Sequence, residues 1–248
     1  MKSTILLAFS LFLCFQTQAQ TSPGSSMSRL SRNDWNSILR GTQSLTTTRN
    51  PEVELRGHPF SMDDWRLGSI ILKDSSQSED KTLRFKLNVE DSEIWVQVPD
   101  KPEHILTDNR IVGLILNVKD TFVEYRKFVL PESPTTPRFA QIIYSGKNFT
   151  LVKYIKKTFI KADYVDKGLA VVGRKYDSYE AEESYLVIGT DTKTSKIKLS
   201  KGDILKATAS VSRAKREEIL TFCKENDISN PLDEADAALM MSYIDKLQ

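Results

Sequence analysis

Apolar and polar residues alternate along much of the chain. From Thr82 to Val89 (TLRFKLNV), Leu83, Phe85, Leu87 and Val89 fall on one side, and Thr82, Arg84, Lys86 and Asn88 on the other. A period of two is that of a strand with one face buried. After the turn Glu90-Asp91-Ser92, EIWVQV resumes it with Ile94, Val96 and Val98 inward, which predicts an antiparallel hairpin. Ile111 to Val118 (IVGLILNV) is apolar on both sides and predicts a central, well-covered strand. Lys119-Asp120 then turns the chain into TFVEYRKFVL.

Proline and glycine punctuate the middle of the chain. The three prolines of PESPTTP, Pro131 to Pro137, remove ladder donors and predict a loop or an internal boundary. FAQIIYS and FTLVKYI flank Ser145-Gly146-Lys147-Asn148, a second hairpin signal. Asp166-Lys167-Gly168 marks another turn, and ESYLVIG with SKIKL predicts a last strand pair.

Near residue 200 the period changes to that of helices. Ser200 with Asp203 predicts a capped short helix. Ser212 to Asp227 predicts a second, with Ile219, Phe222 and Cys223 on one side. Asn230-Pro231 reads as a cap and first-turn proline. The helix beyond it carries Leu232, Ala235, Leu239, Tyr243 and Leu247 as its stripe. Strands joined by turns, then a helical pair, predict an α+β fold. It is mainly antiparallel β, as a sandwich or a curled sheet or partial barrel, closed by a C-terminal helical hairpin. The expected organisation is one β-rich domain over 53–248, with the helices in 200–247 and 131–137 as the place of any internal boundary. Residues 20–52 are polar and turn-rich and predict a flexible lead, interrupted by a short helix over Arg32–Leu39. Trp35, Trp65 and Trp95 are evenly spaced, but their flanks differ and imply no repeat.

The first residues change the picture from fold to place. Lys2, an uncharged apolar run from Ile5 to Phe15, and small Thr17 and Ala19 predict a secretory signal cut after Ala19. The run is too short to span a bilayer. Cys14 follows the large Leu13, which does not fit a lipid-attachment site. The expected location is periplasmic or extracellular, with no transmembrane segment. Once residues 1–19 are removed Cys223 is the remaining cysteine, so stability rests on a hydrophobic core. Thirty-five Lys and Arg against 33 Asp and Glu give no basic excess, and nucleic acid is not expected as a partner.

Candidate chemistry is sparse. GHPFSMDDWRLG places His58, Asp63 and Asp64 ahead of a strand, where they offer acid–base or metal-ligating groups. A catalytic metal site needs three protein ligands, and the chain has two histidines, His58 and His104. The alternating oxygen pattern of a calcium loop is missing too. The favoured reading is structural: an Asp stops a turn and Trp65 packs beneath it. No metal and no cofactor is expected. There is no G-x-S-x-G elbow and no glycine-rich phosphate loop. Cys223 sits on an apolar helix stripe, and Glu180, Glu182 and Glu183 read as a solvated cluster. The segment KYIKKTFIKADY interleaves Lys153, Lys156, Lys157 and Lys161 with Tyr154, Phe159 and Tyr164. Its functional reading is a patch for an anionic glycan or lipid; its structural reading, which is favoured, is a lysine-guarded strand edge.

Several segments, taken in order, resemble a family of exported proteins of Bacteroidetes bacteria. They are DDW with Gly68, Ile70 and Leu72; LRFKLNVEDSEIWVQ; YSGKNFTLVKYIKKTFIKADY; ESYLV before SKIKLSKGDIL; and the closing EEILTFCKENDI and YIDKL. The match runs from about Glu54 to the C-terminus. It implies an exported location and this architecture, and transfers no site. The functional expectation is a non-catalytic envelope accessory or binding module. The alternatives are a secreted carboxylate-dependent hydrolase and a binder of an anionic polymer or lipid through residues 153–161.

Overall fold

A computed structural model describes residues 38, 43–44, 54–78, 82–99, 103–166, 171–208 and 213–248. Residues 1–19, read as a signal, and most of the 20–52 stretch, read as a lead, lie outside the described residues. Within that lead Ile38 is helical and buried, and Gln43–Ser44 forms strand β1.

The strands run in chain order. They are β2 (Leu55–Arg56), β3 (Arg66–Leu72), β4 (Arg84–Asn88), β5 (Glu93–Gln97), β6 (His104–Leu106), β7 (Ile111–Val118) and β8 (Thr121–Leu130). Then come β9 (Ser133–Ser145), β10 (Phe149–Ile160), β11 (Val165–Asp166), β12 (Val171–Val172), β13 (Asp177–Gly189) and β14 (Thr194–Ile197). Three helices close the described chain: α1 (Lys201–Ala207), α2 (Arg213–Glu225) and α3 (Glu234–Lys246). Among the described residues one twelve-stranded sheet runs β1-β6-β5-β4-β3-β7-β8-β9-β10-β13-β14, with β2 parallel to β13. All its other pairings are antiparallel, and β11–β12 is a separate ribbon.

The sheet curls without closing, and β3 is where it bends. Arg66 and Leu67 pair with β4, whereas Gly68 to Leu72 pair with β7. A Cβ on Gly68 would meet the Ile115 carbonyl oxygen at 2.2 Å, so only glycine lets the strand cross at this point. Beyond the bend β4–β6 fold over β7–β9. The Arg138 guanidinium on β9 donates to the Glu90 carbonyl at 3.0 Å, and the Phe139 N–H donates to Ser92 Oγ at 2.9 Å. The β4–β5 turn thus touches β9, which stands four places from β4 in the sheet. The space between holds the first core: Phe85, Leu87, Ile94 and Val96 from one layer against Ile70, Leu114, Leu116 and Tyr125 from the other. Phe85, Leu87, Ile94 and Val96 are inward positions of the alternating pattern, and Ile38 joins the cluster.

The other half of the sheet is covered by the helices. Leu151 and Val187 pack on Ile204, Ile219, Cys223, Met240 and Ile244. Their neighbours Val152 and Leu186 point to the opposite face, as strand geometry requires, and join Leu130 and Ala140 in a third cluster. That cluster is covered because the β8–β9 hairpin reaches over it. Glu132 at the hairpin tip meets Lys196 of β14 at 3.1 Å.

Three expectations are corrected in detail. The stretch read as a loop at 131–137 is a hairpin tip followed by strand. Leu130 pairs with Ser133 and Phe128 with Arg138, leaving Pro134 and Pro137 inside a wide irregularity where the ladder asks for no donors. The last helix starts three residues later than Asn230-Pro231 suggests: Asp233 is its cap, accepting from the Asp236 N–H at 2.7 Å, while Leu232 turns inward. Its buried face is Ala237, Met240, Met241 and Ile244; Ala235 and Leu239 are exposed. Two apolar stripes compete on this helix, and the one carrying the methionines fills the core. By contrast Ser200 caps α1, and Ile219 with Cys223 is buried on α2, as the periodicity predicts.

Candidate functional site

The segment from Gly57 to Trp65 wedges between β4 and β10. Gly57 has φ +76°, and a Cβ there would press on the Tyr179 carbonyl at 3.3 Å. The next residues add to the end of β4: the Val89 N–H donates to the Pro59 carbonyl at 2.9 Å and the Ser61 N–H to the Leu87 carbonyl at 2.8 Å. Phe60 stands edge-on to Trp95, with ring centroids 4.8 Å apart, and the Lys86 ammonium lies 5.0 Å from its centroid. Trp65 is half-buried, with the same ammonium 5.4 Å from its ring.

From the other side comes Lys157. Its ammonium donates to the Phe60 carbonyl at 2.6 Å and the His58 carbonyl at 3.0 Å, and stands 3.5 Å from His58 Nδ1. Burial pulls its pKa below the ordinary lysine value, and Asp63 opposes that. His58 Nδ1 accepts from the Phe60 N–H at 3.1 Å, so Nε2 carries the proton and donates to Asp63 Oδ1 at 2.5 Å. Both ring nitrogens are therefore engaged. The Asp63 carboxyl is held below its usual range, first by the His58 hydrogen bond, with the Lys157 charge acting in the same direction. Asp64 pairs instead with Arg66 at 3.0 Å. Among the described residues neither carboxylate takes a backbone donor, which corrects the expectation of an Asp-stopped turn. The turn is held by the histidine ring and by Lys157. Among the described residues no three His, Cys, Asp or Glu side chains form a metal-binding group.

The lysine segment does not converge. Lys153 and Lys157 lie on one face of β10 and Lys156 on the other, opposite Glu182. Lys161 is exposed beyond the strand end. Tyr154 is 7% exposed within the third cluster, so it is a core residue rather than a stacking platform. Lys153 is held by Glu183 at 2.8 Å and Glu234 at 3.2 Å. Burial lowers its pKa, the two carboxylates outweigh burial, and the net direction is up. Glu234, in the first turn of α3, also accepts from the Tyr185 hydroxyl at 2.8 Å. Tyr185 is pushed up to about 12 by burial and then by that carboxylate.

The sequence pattern alone does not assemble this Lys153–Tyr185–Glu234 group. One signal is present: Lys153 occupies an inward position after Phe149 and Leu151. The partner from α3 carries no such signal. The open side of β14 is equally unmarked in the pattern.

No family model, curated protein or solved structure matches the chain. No helix among the described residues is long and apolar enough to cross a membrane.

Proposed function

We propose that the chain is an exported, non-catalytic accessory or binding module of the cell envelope, akin to the exported Bacteroidetes proteins whose segments it resembles. One observation carries this reading. The groups best suited to chemistry, His58, Asp63 and Lys157, are engaged with one another and with backbone carbonyls in fastening residues 57–65 between β4 and β10. A general base needs a free lone pair within reach of a substrate proton. Here that lone pair receives the Phe60 N–H. The apolar leader over residues 1–19 supports export.

The lysines read as a patch for an anionic polymer point to two faces, and two of the four are held by internal partners. This favours binding by another surface over an anionic-polymer site at 153–161.

The test combines fractionation with substitution. Cells expressing the full chain are fractionated and the mature N-terminus is sequenced. An envelope or medium fraction beginning at Gln20 is expected; a cytoplasmic protein retaining Met1 overturns the export reading. In parallel, Asp63→Asn is compared with the parent in a hydrolase substrate screen and in thermal unfolding. A lower melting temperature with no activity to lose is expected. An activity that vanishes at unchanged melting temperature establishes the hydrolase instead.

A further inference from the structure

Strand β14 ends the sheet, and among the described residues it pairs with β13 alone. The hairpin fixes which of its backbone groups face outward. The Gly189 N–H donates to the Lys193 carbonyl at 3.0 Å. Hydrogen-bonded pairs alternate along an antiparallel ladder, so Ser195 and Ile197 bond to Val187 and Tyr185. The N–H and C=O groups of Thr194 and Lys196 therefore point away from the sheet. They stand about 7 Å apart, the repeat of alternate residues in an added strand. At Lys198 the edge stops: its N–H meets the Asp203 carboxylate at 3.4 Å and its carbonyl takes the Ser200 N–H at 2.7 Å.

This edge is flanked by space. A cavity of about 480 Å³ lies along β14 against α1, and one of about 560 Å³ lies around the β13–β14 turn. They share Ser195, Lys206 and Ala207. The wall of α1 is firmly placed, because Ile204 and Leu205 anchor the helix in the second core.

The charges choose the occupant. Lys193, Lys196, Lys198 and Lys206 border the two cavities, against Asp191 and Asp203. Lys196 is shared by Glu132 at 3.1 Å and Glu182 at 3.6 Å, so selection falls to the others. The Lys193–Asp191 and Lys206–Asp203 contacts join water-facing groups, with both lysine side chains at least 80% exposed, so these two can re-pair at little cost. A second copy of this chain, paired edge to edge about a two-fold axis, would set these lysines against their own equivalents. A strand bearing carboxylates meets them favourably.

We propose that the open edge of β14 takes an extended, carboxylate-bearing segment of another polypeptide as an added strand. Main-chain bonds to Thr194 and Lys196 supply affinity, and the lysines select acidic side chains. This rests on the reading of the chain as a binding module and gives it a partner class. Export is tested separately by fractionation, so the two can fail independently.

The test uses the purified full chain and a labelled synthetic peptide of alternating glutamate and threonine, read by fluorescence anisotropy. Thr194→Pro deletes an outward N–H, leaves every charge in place and spares the ladder to β13. Thermal unfolding of that variant checks that it is folded. Saturable binding by the parent is expected. It weakens about tenfold or more for Thr194→Pro, and as much for a peptide N-methylated at alternate residues. The double variant Lys193→Ala with Lys206→Ala, or added salt, lowers it severalfold, and a lysine–threonine peptide binds far more weakly. Three results overturn the proposal. One is the absence of saturable binding. Another is equal binding by the parent, the proline variant and the N-methylated peptide. The third is a dimer of this chain that Thr194→Pro dissolves. If Thr194→Pro does not fold, the N-methylated peptide decides on the parent chain.

Discussion

The ammonium of Lys157 donates to the carbonyl of Phe60 at 2.6 Å. This joins β10 to a segment that also extends β4, across an opening the ladder leaves unpaired. Lys157→Met keeps the aliphatic stem and removes the donor. Hydrogen bonds to a charged donor contribute about 1.5–3 kcal/mol, less where water has access, so a loss of about 2 kcal/mol is expected. That is a fall of about 4–8 °C in Tm. Lys156→Met, on the exposed opposite face, is expected to stay within about 0.5 kcal/mol. Equal effects in calorimetry would refute the assigned role of Lys157.

Asp245 on α3 accepts from the Lys147 N–H at 2.5 Å, the Asn148 N–H at 2.8 Å and the Tyr144 hydroxyl at 3.1 Å. It thereby clamps the β9–β10 turn to the last helix. Asp245→Ala removes the acceptor of all three hydrogen bonds and is expected to cost about 2–3 kcal/mol, seen as a lower urea midpoint. Tyr144, pushed up to about 12 by burial and then by this carboxylate, should titrate lower in Asp245→Asn. Ultraviolet absorbance of the phenolate measures it; an unmoved transition would mean that burial alone sets the shift.

Stability should fall at both ends of the pH scale. Asp63, Asp74, Asp108 and Asp191 have lowered values, from hydrogen bonds to His58, Ser76, Arg110 and Lys193 respectively. A depressed carboxylate contributes stability above its unfolded value, about 3.9, and loses it as pH falls through the folded value. Tyr144 and Tyr185, both at about 12, act in the other direction. Their contribution is present below the unfolded value near 10 and lost as pH rises through the folded one. Denaturant midpoints across pH should form a plateau with two shoulders. Asp108→Asn should soften the acid one, since Arg110 grips that carboxylate with both Nε and Nη2.

The two stripes of α3 make opposite predictions. Met240 is 0% exposed and Leu239 is 41% exposed. Met240→Ala should cost about 2–5 kcal/mol, the range for buried large-to-small changes. Leu239→Ala should cost under about 1 kcal/mol. If the costs were reversed, the helix would sit rotated from its assigned face.

Native thiol labelling offers a further check. Cys223 is fully buried on α2, and burial raises its pKa. A thiol reagent should react with it only after denaturant is added. Prompt labelling of the native protein would place α2 away from the sheet.

Much of the architecture was legible along the chain, because each strand with one buried face writes its period into its own residues. Leu83, Phe85, Leu87 and Val89 needed no partner to declare a shared side. The turn at Lys119-Asp120, with φ of 48° and 66°, and the Ser200 cap are likewise local matters. The site was less legible. His58 and Asp63 stand five residues apart and their pairing comes from proximity, but the group that meets them, Lys157, belongs to a strand about a hundred residues later. Nothing local in KYIKKTFIKADY distinguishes Lys157, which closes the fold, from Lys156, which faces water.

By itself, then, the sequence determined the alternating strands, the antiparallel order of hairpins, the helical close and the positions of the main turns. These depend on side-chain period and backbone preference within a few residues. The tertiary structure decided the bend at Gly68, the choice between the two stripes of α3, the partners of each charged group and the open edge of β14. Those outcomes depend on which distant surface each element meets, and burial and hydrogen bonding assign them once the whole sheet has curled.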